Sequence, residues 1–448
     1  MTTERRRALF GINAGIFLAH IGNFIWFPIL VASLGGTDSG FWAGVVMCMT
    51  YVGRLAATFS YEGLSDRLGI RGAVFVGTGL EAVSLGLMGF TSGVAVYSVL
   101  ALFIGFGSGT AFPGLKNILV SYPEDERAKA FSTFQMSAQV GLFGGALAGG
   151  LLIGMDLRTV FTAVFVLFLG FCLTASLFIP RDGFQADGTA ATAADPADER
   201  APLFSLAALR SVEVGGATRY FLLSAAFWFL SLCFVVGIPL HMGQFVPQLA
   251  PSSPFWITGL SLLVLQYPVF KLAIKHLRPG VVMGVGLSGM AVAFVLFGSG
   301  PAALWAVALG CFVVVFGEIL FVPSFDMWVA RKVPEAQLSR AMGAMHFFRS
   351  AGNMAGALLA GVMFDLSLST GLTGANWFVA AAVAVVCAGI CFASRDDAPS
   401  GRDGRDGQDG RDGRDGQDGR DGRDGRDGRD GRDETPEEAA KLTESAEA

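Results

Sequence analysis

Between Ala8 and Phe392 the chain is built almost wholly of apolar runs, and nearly all are as long as a lipid bilayer is thick. The hydrocarbon core of a bilayer takes about 20 mostly apolar residues per helical crossing. About twelve runs meet that length: 8–32, 41–60, 72–92, 96–118, 130–153, 159–179, 218–240, 255–272, 280–298, 302–325, 340–363 and 374–394. Backbone amides in hydrocarbon must be bonded within their own segment, so these runs predict helices.

Composition excludes most other classes. The chain is 52% hydrophobic and only 15% charged, with 39 Phe and 60 Gly. A soluble fold could not keep that much apolar surface from water. The six cysteines all fall inside predicted spans. None forms a CxxC pair or sits beside clustered His, so neither a disulfide framework nor a metal site is expected. The net charge of −5 gives no reason to expect a nucleic-acid partner. No GxxxxGK[ST] loop supports ATP-driven chemistry, no nucleophile–base set suggests an enzyme, and no cofactor is expected. The opening MTTERRRALF lacks a small-residue cleavage site and reads as a flank of the first span.

Lys and Arg alternate between the two sets of connections. One set carries Arg5 to Arg7, Arg67 and Arg71, Arg127 and Lys129, Arg181 to Arg219, Lys271 to Arg278, Arg331 and Lys332, and Arg395. The other set, 33–40, 93–95, 154–158, 241–254, 299–301 and 364–373, carries Arg158 alone. Basic residues are retained on the cytoplasmic side. A multi-pass protein of the cell membrane with both termini cytoplasmic is therefore expected, which needs an even number of spans.

The chain also repeats itself. Pro123-Glu124, Lys129-Ala130, Gly141, Gly145-Ala146-Leu147 and Gly150 recur as Pro334-Glu335, Arg340-Ala341, Gly352, Gly356-Ala357-Leu358 and Gly361, at a constant offset of 211. With one residue of slip, Gly107 and Pro113 match Gly317 and Pro323. The expected fold is an all-α integral membrane protein with twelve transmembrane helices in two pseudo-symmetric six-helix halves. Residues 1–179 form the first half, 180–217 a polar cytoplasmic linker and 218–394 the second half. In the tail, 395–448, Gly recurs every third residue from Gly401 to Asp433 as Gly-Arg-Asp or Gly-Gln-Asp. That is the collagen period without its Pro, in a charge-balanced segment, and disorder is expected.

The segment Gly63-Leu64-Ser65-Asp66-Arg67-Leu68-Gly69-Ile70-Arg71, between spans two and three, resembles the loop signature of the major facilitator superfamily. Spans, linker and duplication agree with that resemblance along residues 8–394. The stretch Gly105 to Gly150, and Gly317-Glu318 followed by Pro323, look most like the drug:proton antiporter branch and its MdtH-type multidrug exporters. Two positions depart from the pattern: Glu62 stands where the family has its leading Gly, and Gly145-Ala146 where the antiporter signature has Gly-Pro. The resemblance implies that Gly63, Asp66, Arg67, Gly69 and Arg71 form a cytoplasmic gate that latches the halves. Read on its own, Asp66 can hold an Arg or cap a neighbouring helix N-terminus, and Gly69 allows a tight reversal. The plainer alternative is a basic loop that only sets topology.

Ionisable groups inside hydrocarbon cost about 2.5–3.5 kcal/mol on insertion scales, so they face a cavity or a partner. Glu318, His20, Glu81 and Asp326 are the candidate proton-coupling groups. Glu318 is either a proton carrier or one side of a pair with Arg349, and the two roles are compatible. Arg54 and Glu81 read more readily as a structural pair. His20 shares one face of span one with Asn13 and Asn23. The candidate substrate cavity takes Asn23, Arg54, Lys116, Gln135, Gln139, Gln266, Tyr267, Phe348, Arg349 and Asn353, amide, aromatic and basic groups suited to an amphipathic solute. Each alone reads more readily as packing than as a ligand contact.

These observations point to a secondary transporter that rocks two halves around a midplane site. Proton-coupled export of a small amphipathic molecule, drug or metabolite, is the expected activity. Two alternatives stand: proton symport taking up a metabolite or organic anion, and a non-transporting scaffold or receptor. The expected partners are the lipid bilayer, a small-molecule substrate and protons, acting on a monomer.

Overall fold

In the computed structural model, residues 2–152, 154–180, 217–300, 302–332 and 338–393 are described, and all regular structure among them is helical. Eleven helices follow one another: α1 (Thr3–Thr37), α2 (Gly40–Met88), α3 (Val94–Val120), α4 (Glu124–Leu151), α5 (Leu157–Phe178), α6 (Ala217–Phe245), α7 (Ser253–His276), α8 (Pro279–Ser299), α9 (Leu304–Lys332), α10 (Leu338–Ser369) and α11 (Ala375–Ala393). Ten are long and apolar enough to cross a membrane. The exception, α4, dilutes its apolar residues with Gln, Ser and a series of glycines.

Spans two and three are joined in α2, yet they are two arms. Gly69 breaks the helix with φ 71° and ψ 166°, a backbone region essentially confined to glycine. Divided there, α2 has two arms, which gives twelve helical segments among the described residues. The linker 180–217 apart from its end residues, the Pro334-Glu335 segment and the tail 395–448 lie outside the described residues.

The helices are apolar all round, as bilayer helices are. Val99, Val166, Leu173, Trp305, Leu309 and Val386 lie exposed on the outside where lipid would cover them. Small residues set the helix–helix spacing. Where a Cβ of Gly141 or Gly145 would go, the backbone oxygens of Phe17 and Ile21 of α1 already stand. At the repeat-matched Gly352 and Gly356, the backbone oxygens of Ala225 and Phe229 of α6 occupy the same place. The duplicated glycines thus lock each half's fifth crossing onto its first, four residues apart on both partners.

The halves meet mainly at the end opposite the basic loops. There Gly40 and Gly44 of α2 touch α10 backbone at Gly361 and Ala357, Gly149 of α4 meets Ser252 before α7, and Ala32 of α1 faces Gly243 of α6. Asp365, at the far end of α10, accepts hydrogen bonds from Gly40 N at 2.7 Å and Phe41 N at 2.8 Å, capping the start of α2. Ser39 adds a weaker cap to Trp42 N at 3.4 Å. Toward the basic end, Lys116, Gln135, Asp326 and His346 are exposed although they lie within helices. The assembly is closed at one end and cleft at the other.

Candidate functional site

Two close approaches build the first half's side of the cleft. Gly105 and Gly109 let α3 sit against the backbone of Thr50 and Arg54 in α2. That contact brings Ser108 to Arg54, whose Nε donates to Ser108 Oγ at 3.2 Å, and Ser108 Oγ in turn donates to Gly105 O. Arg54 also lies over the Tyr51 ring at 5.3 Å. Glu81, on the second arm of α2, is 1% exposed. Trp26 Nε1 donates to Asn23 Oδ1 at 3.0 Å, which leaves the Asn23 amide N–H₂ to meet the Glu81 carboxylate. The expected Arg54–Glu81 pair is therefore corrected to a longer-range interaction: Arg54 acts on Glu81 electrostatically but spends its hydrogen bond on Ser108. A sequence cannot give the rotation of two consecutive helices, and here Ser108 lies nearer the guanidinium.

His20 donates Nδ1–H to Ile16 O at 3.0 Å, so its Nε2 is the free acceptor of the neutral ring. It stands edge-on to Phe112 at 6.0 Å and feels Arg54. Asn13, seven residues before His20 on α1, has its Oδ1 buried and unbonded.

In the second half, Gly317 packs against Met290 and Gly286 against the α9 backbone, which sets Glu318 at the crossing of α8 and α9. Ser231 Oγ of α6 donates to Glu318 Oε1 at 3.4 Å. Arg349 acts on Glu318 at longer range and does not bond it. Glu318 opens into a small cavity of about 60 Å³ lined by Phe24 and Leu142 from the first half and by Ser231, Phe234, Phe255, Thr258 and Met290 from the second. It is the one charged group of that lining.

Several expected residues lie outside this lining but continue its helix faces toward the basic end. Gln135 and Gln139 precede Leu142 on its helix face, and Gln266 follows Thr258 and Leu262 at helical spacing. Gln139 Oε1 and Asn353 Oδ1 are buried with no partner. Lys116, Asp326, Arg349 and His346 interact with one another across the cleft, as do Arg54 and Arg349. Tyr267 is 73% exposed and its ring lies under Lys271 at 5.5 Å, away from the cavity lining. Phe348 lies parallel to Phe221 at 5.7 Å, a packing contact within its own half.

The loop signature sits apart from the cavity. Gly63, Asp66 and Arg67 are exposed, Gly69 makes the break in α2, and Arg71 Nη2 donates to Ser176 O of α5. Four groups escape a reading of the sequence: Trp228, whose ring lies 3.7 Å below Arg349, and Ser108, Ser231 and Asp365. Only Ser108 leaves a signal there, since it follows Gly107 as Glu318 follows the matched Gly317.

A closed-and-cleft pair of helical bundles with a polar midplane defines the class of polytopic transport proteins that move small solutes. The sequence model of the Major Facilitator Superfamily matches residues 10–357, and the chain belongs to that family. It is accordingly a transport protein and not an enzyme. The uncharacterized MFS-type transporter YttB of Bacillus subtilis (strain 168) is 25% identical over 335 residues, 72% of this chain and 79% of that protein. Multidrug resistance protein MdtH of Shigella dysenteriae serotype 1 (strain Sd197) is 24% identical over 383 residues, 81% of this chain and 88% of MdtH. The fold is shared with the nucleoside transporter NupG (TM-score 0.67, 16% identity, 86% of this chain and 98% of that one). It is also shared with the peptide transporter POT in complex with sulfate (TM-score 0.68, 17% identity, 86% and 94%).

Proposed function

We propose that the chain is a proton-coupled exporter of small amphipathic molecules, working by alternating access in a bacterial inner membrane. The observation that carries this reading is Glu318: a carboxylate hydrogen-bonded by the neutral Ser231, opening into an aromatic cavity at the junction of the halves. Such a group can load a proton in one conformation and release it when a cation such as Arg349 approaches. That the similar MdtH proteins are named for multidrug resistance supports a reading of drug-like solutes and their removal.

The basic loops argue for both termini in the cytoplasm, which makes the cleft end cytoplasmic and the state inward-facing. Residues 1–179 and 218–394 are the rocking halves, 180–217 their linker, and the unit acts as a monomer. Asp66 and its loop close the cytoplasmic side when the halves rock, and Asp365 holds the outer side in the inward-facing state. His20 and Asp326 are secondary proton sites, and Glu81 is a fixed charge that shapes the field around Arg54.

Everted membrane vesicles test this directly. With a pH gradient imposed, labelled amphipathic solutes should accumulate in vesicles holding the parent chain and not in those holding Glu318→Gln, which should still exchange solute. Equal accumulation by both would return Glu318 to a structural role beside Arg349. A second reading, proton symport of an organic anion, is favoured by the basic groups Arg54, Lys116 and Arg349 in the cleft. The polarity of the gradient that drives accumulation separates the two.

A further inference from the structure

Of the ten candidate spans, α7 has the least protein over it: 17% of its apolar stretch is buried, against 39% or more in each of the others. Its uncovered residues form one stripe. Trp256, Leu260, Val264, Tyr267, Lys271 and Lys275 are all exposed and follow one another at steps of four and three, the spacing of a single helix face. The opposite face, with Phe255, Thr258 and Leu262, lines the Glu318 cavity.

The stripe changes character at its basic end. From Trp256 to Lys275 is about 28 Å at the rise of an α-helix, close to the thickness of a bilayer's hydrocarbon core. Trp256 marks one interface, and Tyr267, Lys271 and Lys275 approach the other. Arg278, also exposed, follows just past the helix end at Leu277. No acid offsets these three cations. The chain has none between Glu213 and Glu318. Among the described residues, the side chains of Lys275 and Arg278 have no hydrogen-bond or ion-pair partner. Lys271 meets the Tyr267 ring at 5.5 Å, which holds its ammonium at the top of the stripe. The repeat sharpens the contrast. At the offset of 211, Arg278 and Gly280 match Arg67 and Gly69, but Leu277 stands for Asp66 and Ala273 for Glu62. The second half keeps the loop, lacks both acids and has Lys271 and Lys275 in place of Ser60 and Leu64.

We propose that this end of α7 binds an anionic glycerophospholipid, its phosphate on Lys271, Lys275 and Arg278 and an acyl chain along Val264 and Leu260. Clustered cations at a membrane surface attract anionic lipid, and here the charge stands where the apolar stripe begins. A soluble anion would meet the cations and leave the stripe uncovered, which is what singles out a lipid. Such a site requires only that the chain spans a bilayer; the direction and coupling of transport do not enter.

Native mass spectrometry of the delipidated full chain tests this, titrated with phosphatidylglycerol, phosphatidylcholine or the deacylated head group glycerophosphoglycerol. One phosphatidylglycerol should bind about tenfold more tightly than phosphatidylcholine, and the head group alone should not displace it. The combined variant Lys271→Gln, Lys275→Gln, Arg278→Gln should remove most of that preference. Arg6→Gln with Arg7→Gln, exposed basic residues of α1, should leave it in place. No preference in the parent, or equal loss in both variants, would overturn the site in favour of a general attraction of basic helix ends. Full displacement by the head group would make the occupant a soluble anion, and a dimer lost in the triple variant would make it a second copy of the chain; either overturns the proposal. Lipid selectivity and head-group competition are read on the parent protein, so the outcome stands even where a variant does not fold.

Discussion

Each half carries one carboxylate deep in its helix crossings, and the two are treated differently. In the first half, Gly107 of α3 packs against Glu81 on the second arm of α2, while in the second, Gly317 of α9 packs against Met290 of α8. The residue after each glycine is Ser108 in one half and Glu318 in the other. The glycine crossing is common to both halves, and the acid stands on one helix of it in the first and on the other in the second. Glu81 ends up shut inside its own half, at the end of a Trp26–Asn23 relay. Glu318 ends up at the edge of a cavity shared by both halves. A buried acid with fixed donors stabilises a single state, whereas one facing a shared cavity can respond to how the halves sit.

The largest effect should come from exchanging these two acids for amides. Glu318→Gln should abolish pH-driven accumulation while substrate exchange persists, and Glu81→Gln should keep the coupling and lower only the thermal midpoint. The same loss of accumulation in both variants, at equal folded yield, would break the comparison.

Next in size are the duplicated glycines, where the halves should behave alike. Gly145→Val and Gly356→Val each push a side chain into the backbone of the first crossing, at Ile21 and Phe229. Each should cost about 1–3 kcal/mol of stability, read as matched falls in the thermal midpoint of the purified protein. A large fall in one half alone would mean that the packing symmetry is superficial.

The two ends of the α2–α10 pair give a smaller and opposed pair of effects. Asp365→Ala removes the cap on Gly40 and Phe41, a loss of about 0.5–2 kcal/mol. It should raise the labelling rate of a cysteine placed at Phe41. Asp66→Asn should leave insertion intact and slow transport without raising that rate. Transport at the parent rate in a folded Asp66→Asn protein would reduce the loop to a topology signal. Smallest of all, deletion of Gly401–Ala448 should change neither flux nor midpoint, and a loss of either would give the Gly-Arg-Asp period a purpose.

The crossings and the repeat are legible in the sequence because each rests on a property a sequence states outright: run length against bilayer thickness, and a constant offset between glycines. Glu318 is legible for the same reason, as a lone charge in an apolar run. Partnerships are less so. Consecutive helices suggest Arg54 against Glu81, but helix rotation decides contacts, and the close approach at Gly105 and Gly109 turns Arg54 to Ser108. Asp365 reads as a loop residue, since its role depends on α2 beginning beside it, 325 residues earlier in the chain. Trp228 is one aromatic among many until Arg349 is placed above it. The joining of two spans in α2 is hidden too, because only the backbone angles at Gly69 show that one helix carries two crossings.

The central claim is that Glu318, and not Glu81, links protonation to the rocking of the halves. The most direct measurement is the distance between paired spin labels as pH is stepped through neutrality. Labels at Leu68 and Leu277 would span the basic end, and labels at Met155 and Leu372 the other; all four positions are exposed. The native cysteines are buried, which favours labelling of the introduced ones. In the parent chain and in Glu81→Gln, one distance should shorten as the other lengthens, and in Glu318→Gln both should stay fixed. A parent-like response in Glu318→Gln, or a frozen Glu81→Gln, would contradict the account.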